Sequence, residues 1–238
     1  MTDTFLDGRV KARQPDCGFR SGTDAVMLAA AVPALAGESA LELGAGSGAA
    51  SLCLAARVPG MGVTGVEIDG ALVALARDNA AASGLQARFE AADAFSLPPE
   101  LKRDYSQVFA NPPFHGEGSV PPDQARARAL MDEGQLAQWL STGLQRTVSG
   151  GFFTTIIRAD RMHEALAALP RTGVNIFPLW PRAGMAAKRV ILQARKGSRA
   201  PTGLLAGLAL HEADGRYTAA AEAVLRDGAS LAMDSGRL

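Results

Sequence analysis

The chain has 238 residues, 47% of them apolar and 20% charged, and its 24 basic and 24 acidic side chains cancel. This is the composition of a globular protein long enough to bury a full core, and it excludes a disordered or collagen-like chain. Zero net charge excludes a surface that binds nucleic acid everywhere, and no uninterrupted apolar run is long enough to span a bilayer.

The first residues, Met1 to Phe5, lack the basic and apolar regions of a signal peptide, so a cytoplasmic location is expected. Cys17 and Cys53 sit in unrelated contexts without metal-ligand spacing and read as reduced thiols. Residues 1–37 read as an N-terminal extension packing on a core domain of residues 38–238. From there strand-like and helix-like segments alternate. Ser39–Leu43 is a short apolar strand ending at glycines, and Ala49–Arg57 is a small-residue helix. Gly62–Ile68 is a strand, Ala71–Ser83 an Ala-rich helix stopped by Gly84, and Ala87–Ala91 a third strand. Tyr105–Ala110 is a fourth strand, ended by Asn111-Pro112-Pro113, where the prolines forbid continuation. Gly134–Val148 repeats apolar residues at helical spacing. Gly151–Ile157, Val174–Leu179 and Arg189–Ala194 are strands, with a helix at Arg161–Leu169. A short strand near Leu208–His211 and a helix over Thr218–Arg226 complete the pattern. Alternation of this kind indicates a mainly parallel sheet covered on both faces.

Four strand ends carry polar signatures. After the first comes Glu42-Leu43-Gly44-Ala45-Gly46-Ser47-Gly48, a GxGxG turn that lets the backbone approach a ligand closely. Glycine turns between strand and helix are also common for purely structural reasons. After the second comes Glu67, 23 residues beyond Gly44, placed as an acid that bonds both hydroxyls of a ribose. After the third comes Asp93, an acceptor for the amino group of a bound adenine, with Ala94 offering a backbone N–H. Alone, Asp93 reads as a helix N-cap. After the fourth comes Asn111-Pro112-Pro113-Phe114, the most specific of the four. The Asn111 side-chain oxygen and the Pro112 carbonyl can accept both N–H bonds of one NH2 group, and Phe114 can stack on the attached base. Open α/β sheets bind ligands at this carboxyl edge. Between Arg171 and Arg199 lie seven basic residues and no acidic one, including Lys188, Arg189, Arg195 and Lys196. Such a run reads either as a phosphate-binding face or as a solvated sheet edge.

The order of glycine turn, Glu67, Asp93 and NPPF resembles the class I S-adenosylmethionine-dependent methyltransferases that modify amino groups. More narrowly, the chain resembles the tRNA (adenine-N6)-methyltransferase branch of the small-methyltransferase superfamily. Phe19–Leu28, Arg126–Trp139, Ala187–Lys196 and His211–Thr218 carry that likeness over nearly the whole length. The resemblance implies an α/β, Rossmann-like fold whose seven-stranded, mostly parallel sheet has one antiparallel strand and helices on both faces. It implies S-adenosyl-L-methionine as methyl donor and a structured RNA, tRNA first, as substrate. Cofactor contacts carry over to Gly44, Gly46, Glu67 and Asp93, and to Thr23 and Asp24. Glu42, Ala94 and Asn111 complete the expected cofactor set. Asn111, Pro112 and Phe114 form the expected catalytic set, and Pro113, His115, Lys188 and Arg189 the substrate contacts. NPPF followed by His115 is similar also to ribosomal RNA guanine-N2 methyltransferases, which keeps that target as an alternative. Protein-glutamine methyltransferases use a similar grip on an amide but carry a larger N-terminal helical domain. A non-catalytic RNA-binding module is the reading from a different class, and Asn111, Glu67 and the glycines argue against it. No metal, no membrane and no obligate protein partner is expected.

Overall fold

A computed structural model describes residues 2–15, 20–113 and 135–233. Phe114 and His115 therefore lie outside the described residues, as does Cys17. The N-terminal segment forms a two-stranded antiparallel hairpin, β1 (Thr2–Phe5) and β2 (Val10–Arg13), followed by helix α1 (Thr23–Ala31). The main elements follow in order: β3 (Ser39–Leu43), α2 (Ala49–Arg57), β4 (Gly62–Glu67), α3 (Gly70–Ser83), β5 (Ala87–Ala91) and β6 (Tyr105–Ala110). Residues 135–146 form helix α4. Then come β7 (Thr147–Arg158), α5 (Met162–Ala168), β8 (Val174–Arg182) and β9 (Arg189–Arg195). Two short strands, β10 (Gly203–Leu204) and β11 (Leu208–His211), and helix α6 (Ala219–Glu222), continued as a π-helical turn over Ala223–Asp227, complete the regular structure among the described residues.

One sheet runs β5-β4-β3-β6-β7-β9-β8, with β10 and β11 both paired to the outer edge of β8. Strand β9 is antiparallel to both of its neighbours, and every other pairing in this sheet is parallel. The seven long strands and the single reversed strand are the expected Rossmann-like arrangement. Their side chains alternate between two cores. Ala40, Phe109, Ile156 and Ile191 face α1, α2 and α3, whereas Leu41, Leu43, Val108, Ile157 and Leu192 face α4 and α5. Burial on both faces explains why these strands read as apolar runs without polar alternation.

Local chemistry sets the ends of the elements. Asp69 caps α3 by accepting from the Ala71 N–H at 2.8 Å, and Gly84 ends it with a left-handed φ of 64°. The helical pattern over 134–148 overshoots, because β7 begins at Thr147, where Lys196 binds the Thr147 carbonyl at 2.6 Å. The hairpin β1–β2 and the edge strand β10 carry too few apolar residues to be read as strands from sequence. Among the described residues, no helix is long and apolar enough to cross a membrane.

Gly143 lets α4 lie directly on the fully buried ring of Phe153. A Cβ at position 143 would sit 2.1 Å from that ring. Alanine would add about 1 kcal/mol of helix propensity. Overpacking of a rigid aromatic costs roughly 1–3 kcal/mol, so the packing term wins. Gly143→Ala is expected to lower the denaturation midpoint in urea; an unchanged or higher midpoint would show that the α4–β7 contact can open.

Candidate active site

Strand order reverses between β3 and β6, and the crevice at such a switch point is where open α/β sheets bind ligands. A cavity of about 540 Å³ lies there, within the roughly 300–1,000 Å³ usual for small-molecule sites. Glu42, Gly44, Gly46, Glu67, Asp93, Ala94, Asn111, Pro112 and Pro113 all line it. These come from the ends of four different strands.

The floor is the glycine turn. Gly44, Gly46 and Gly48 have φ values of 71°, 55° and 85°, a left-handed run that other residues adopt only at a cost. Two of the three glycines lie against an aromatic ring. A Cβ on Gly44 would meet the Trp139 ring at 2.7 Å, and one on Gly48 would meet the Phe89 ring at 2.7 Å. At Gly46 a Cβ would meet nothing within 4 Å, so this residue presents bare backbone to the cavity. The Gly46 N–H donates to Glu67 Oε2 at 2.9 Å, and the Asp69 N–H donates to Glu67 Oε1 at 3.1 Å. Glu67 thus ties the turn after β3 to the end of β4. Each carboxylate oxygen retains a second lone pair for a ligand hydroxyl. Asp93 Oδ1 accepts from the Phe95 N–H at 2.9 Å, which fixes the turn after β5.

Glu42 is the most constrained carboxyl in the site. It is 3% exposed, and its Oε2 accepts from the Ser51 N–H at 2.9 Å and from Ser51 Oγ at 2.5 Å. Burial pushes its pKa up to about 8, the Ser51 bonds pull it down, and the charge of Glu67 pushes it up again. Asn111 lines the same cavity from the end of the neighbouring strand, β6. Its Oδ1 is buried and has no hydrogen-bond partner among the described residues.

The structure adds residues that the sequence did not single out. Ile68 (73% exposed), Phe95, Leu72, Pro15 and Ser21 also line the cavity. Phe95 meets Trp139 edge-to-face, with ring centroids 5.0 Å apart. A large apolar residue within two positions of each strand-end acid, Ile68 after Glu67 and Phe95 after Asp93, was a legible signal for the walls of an aromatic slot. Thr23 and Asp24 stand at the start of α1 and are not among the lining residues, although Ala25 is. The Asp24 carboxylate instead accepts from Arg189 Nε at 2.8 Å. Lys188 is exposed beside that pair. Arg195 and Lys196 lie at the other end of β9, where they bind the carbonyls of Gly150, Gln145 and Thr147. The basic run therefore splits between the two edges of the sheet.

Comparison with known proteins places this geometry. Residues 20–137 match the model of the methyltransferase small domain. The chain is 30% identical over 225 residues to the tRNA1(Val) (adenine(37)-N6)-methyltransferase of Dickeya chrysanthemi, covering 89% of this chain and 88% of that protein. The chain belongs to the small-methyltransferase family. A protein of the same name from Klebsiella pneumoniae is 35% identical over 152 residues, a match that spans 60% of each chain. Among solved structures, an Agrobacterium tumefaciens protein described as a predicted O-methyltransferase superposes with a TM-score of 0.72 at 28% identity. That match covers 87% of this chain and 98% of the other. A small methyltransferase of this kind takes its methyl group from S-adenosyl-L-methionine.

The raised pKa of Glu42 has a consequence for stability. The folded protein holds this proton more tightly than the unfolded chain, whose value is near 4.5. Its contribution is therefore fully present below about pH 4.5 and is lost as pH rises toward 8, by roughly 1.4 kcal/mol per unit. Glu42→Gln removes the proton but keeps an acceptor for Ser51. The expected result is a thermal midpoint that falls less from about pH 5 to about pH 8 than in the wild type. Parallel pH profiles for the two proteins would exclude Glu42 as the buried titrating group.

Proposed function

We propose that this chain transfers a methyl group from S-adenosyl-L-methionine to the exocyclic amine of an adenine, N6, in tRNA. One observation carries the reading: Asn111 Oδ1 is a buried acceptor on the cavity wall without a partner among the described residues. Leaving such a group unsatisfied costs about 1–3 kcal/mol. It is retained where a ligand supplies the missing donor, and next to it Pro112 presents a second acceptor, its carbonyl. Two adjacent acceptors suit an NH2 group. A hydroxyl has one hydrogen and would fill only one of them, which favours nitrogen over oxygen as the methyl acceptor. The names of the Dickeya and Klebsiella relatives support adenine in tRNA as the target.

The residues of the cavity fit the donor. Glu67 is placed to accept from ribose hydroxyls, Ile68 and Phe95 to flank the adenine, and Asp93 with the Ala94 N–H to read its edge. The bare backbone at Gly46 gives the methionine part room. When bound, S-adenosyl-L-methionine supplies an electrophilic methyl group on a sulfonium. Asn111 Oδ1 and the Pro112 carbonyl accept the two N–H bonds of the target amine. They favour a pyramidal nitrogen and aim its lone pair at the methyl carbon. The nitrogen would turn cationic as it takes up the methyl group, and both acceptors would stabilise that charge. The surplus proton then leaves to water. Phe114 is the expected stacking partner of the base. An adenine inside a helix cannot reach this crevice, so the substrate base is in a loop or flipped out.

Two measurements test this reading. Asn111→Ala is expected to lower single-turnover methyl transfer to tRNA by roughly 10²–10³-fold, while donor affinity stays close to wild type. Transfer at the wild-type rate would sink the assignment of an amino-methyltransferase. Mass spectrometry of tRNA nucleosides from cells with and without the gene should show loss of N6-methyladenosine. Loss of a methylated guanine or of a ribose methyl instead would move the target to N2 or to oxygen.

A further inference from the structure

Asn79 stands in the middle of α3 and is 1% exposed. All its side-chain bonds go to main chain near the cavity. Its Nδ2 donates to the Ser47 carbonyl in the glycine turn at 2.9 Å and to the Arg13 carbonyl at 2.9 Å. Its Oδ1 accepts from the Arg13 N–H at 2.8 Å. Arg13 ends β2. The next residue, Gln14, is 6% exposed and also binds main chain. Its Nε2 donates to the Ser21 carbonyl and to Asp3 Oδ2, both at 2.7 Å, and its Oε1 accepts from the Ser21 N–H at 2.6 Å. Ser21, which these bonds hold, and Pro15, which follows Gln14 in the chain, form part of the cavity wall.

We propose that Asn79 and Gln14 are positioning residues for the methyl donor: they lock the tail of the N-terminal hairpin onto the glycine turn and so build one wall of its site. The inference rests on the cavity being the donor site. Two buried carboxamides that spend all but one of their bonds on backbone are an expensive way to fill a core, since apolar side chains would pack there without desolvation. What they provide is a fixed geometry. A turn of three left-handed glycines has wide backbone freedom, and ordering it only on binding costs about 1–2 kcal/mol per residue. The Ser47 carbonyl sits between two of those glycines, so the Asn79 bond holds their peptide planes in place beforehand. Preordering of this kind appears as ligand affinity. Gln14 does the same for the facing wall, pairing with both backbone groups of Ser21 as a neighbouring strand would.

The test is calorimetry of S-adenosyl-L-methionine binding to the full chain, beside steady-state kinetics in the donor. Gln14→Ala and Asn79→Ala are each expected to raise the donor Kd roughly tenfold. Most of the kinetic loss should fall on the KM for the donor, with a smaller effect on kcat. A merely structural role would lower the thermal midpoint and the active fraction but leave Kd unchanged in the folded protein. If Asn79→Ala does not fold, Gln14→Ala decides alone, because its partners lie in the hairpin and loop outside the sheet. Wild-type affinity in the folded variants overturns the inference by itself. If the wild type does not bind the donor, the cavity assignment falls first and this inference falls with it.

Discussion

The reversal of strand order at β3 and β6 is the constraint on which the site depends. The chain adds β4 and β5 on one side of β3, then returns to add β6 and β7 on the other. The loops leaving β3 and β6 must therefore diverge, and the space between them cannot be closed by either one. Parallel pairing places the ends of β3, β4, β5 and β6 along one edge. Residues far apart in sequence, from Gly44 to Asn111, meet there because the register of those strands leaves them no other place.

Within that crevice the backbone supplies the surface and the carboxyls supply the charge. Three left-handed glycines allow Trp139, Phe89 and the open cavity each to approach the turn from a different side. Glu67 binds the Gly46 N–H directly, so the acid expected to hold a ribose also sets the shape of the floor. Glu42 is driven toward its neutral form by burial and by the charge of Glu67. A cation entering the cavity reverses that balance, because it favours the ionised carboxyl. A sulfonium and an ammonium on the same small molecule suit such a site.

At the end of β6 the cavity is lined by a polar group without charge. Asn111 offers an acceptor that the described residues do not satisfy. The chemistry follows from contrast: a negatively biased floor that favours a cationic methyl donor, and a neutral acceptor pair that favours an amine. The basic run is divided between the two ends of β9. Arg189 pairs with Asp24, and Arg195 and Lys196 bind carbonyls at the opposite edge of the sheet.

The sequence alone determined the sheet and named most of the strand-end residues that line the cavity. Apolar runs bounded by glycine, proline and acid signatures marked β3, β4 and β6 almost to the residue, because strands buried on both faces leave no other composition. Strand-end acids and NPPF were legible for the same reason, since polar residues at those points have no core role. Tertiary structure decided what depends on distance across the chain. The hairpin β1–β2 has no periodic signal of its own and exists by docking on α3 through Asn79 and Ser83. Ile68 and Phe95 acquired a shared place only when the fold brought the turns after β4 and β5 to one cavity. Asp24 pairs with Arg189, 165 residues away, a partner that only the fold brings beside it. Local pattern writes the elements, whereas the partner of a side chain is set by what the fold places within three ångströms of it.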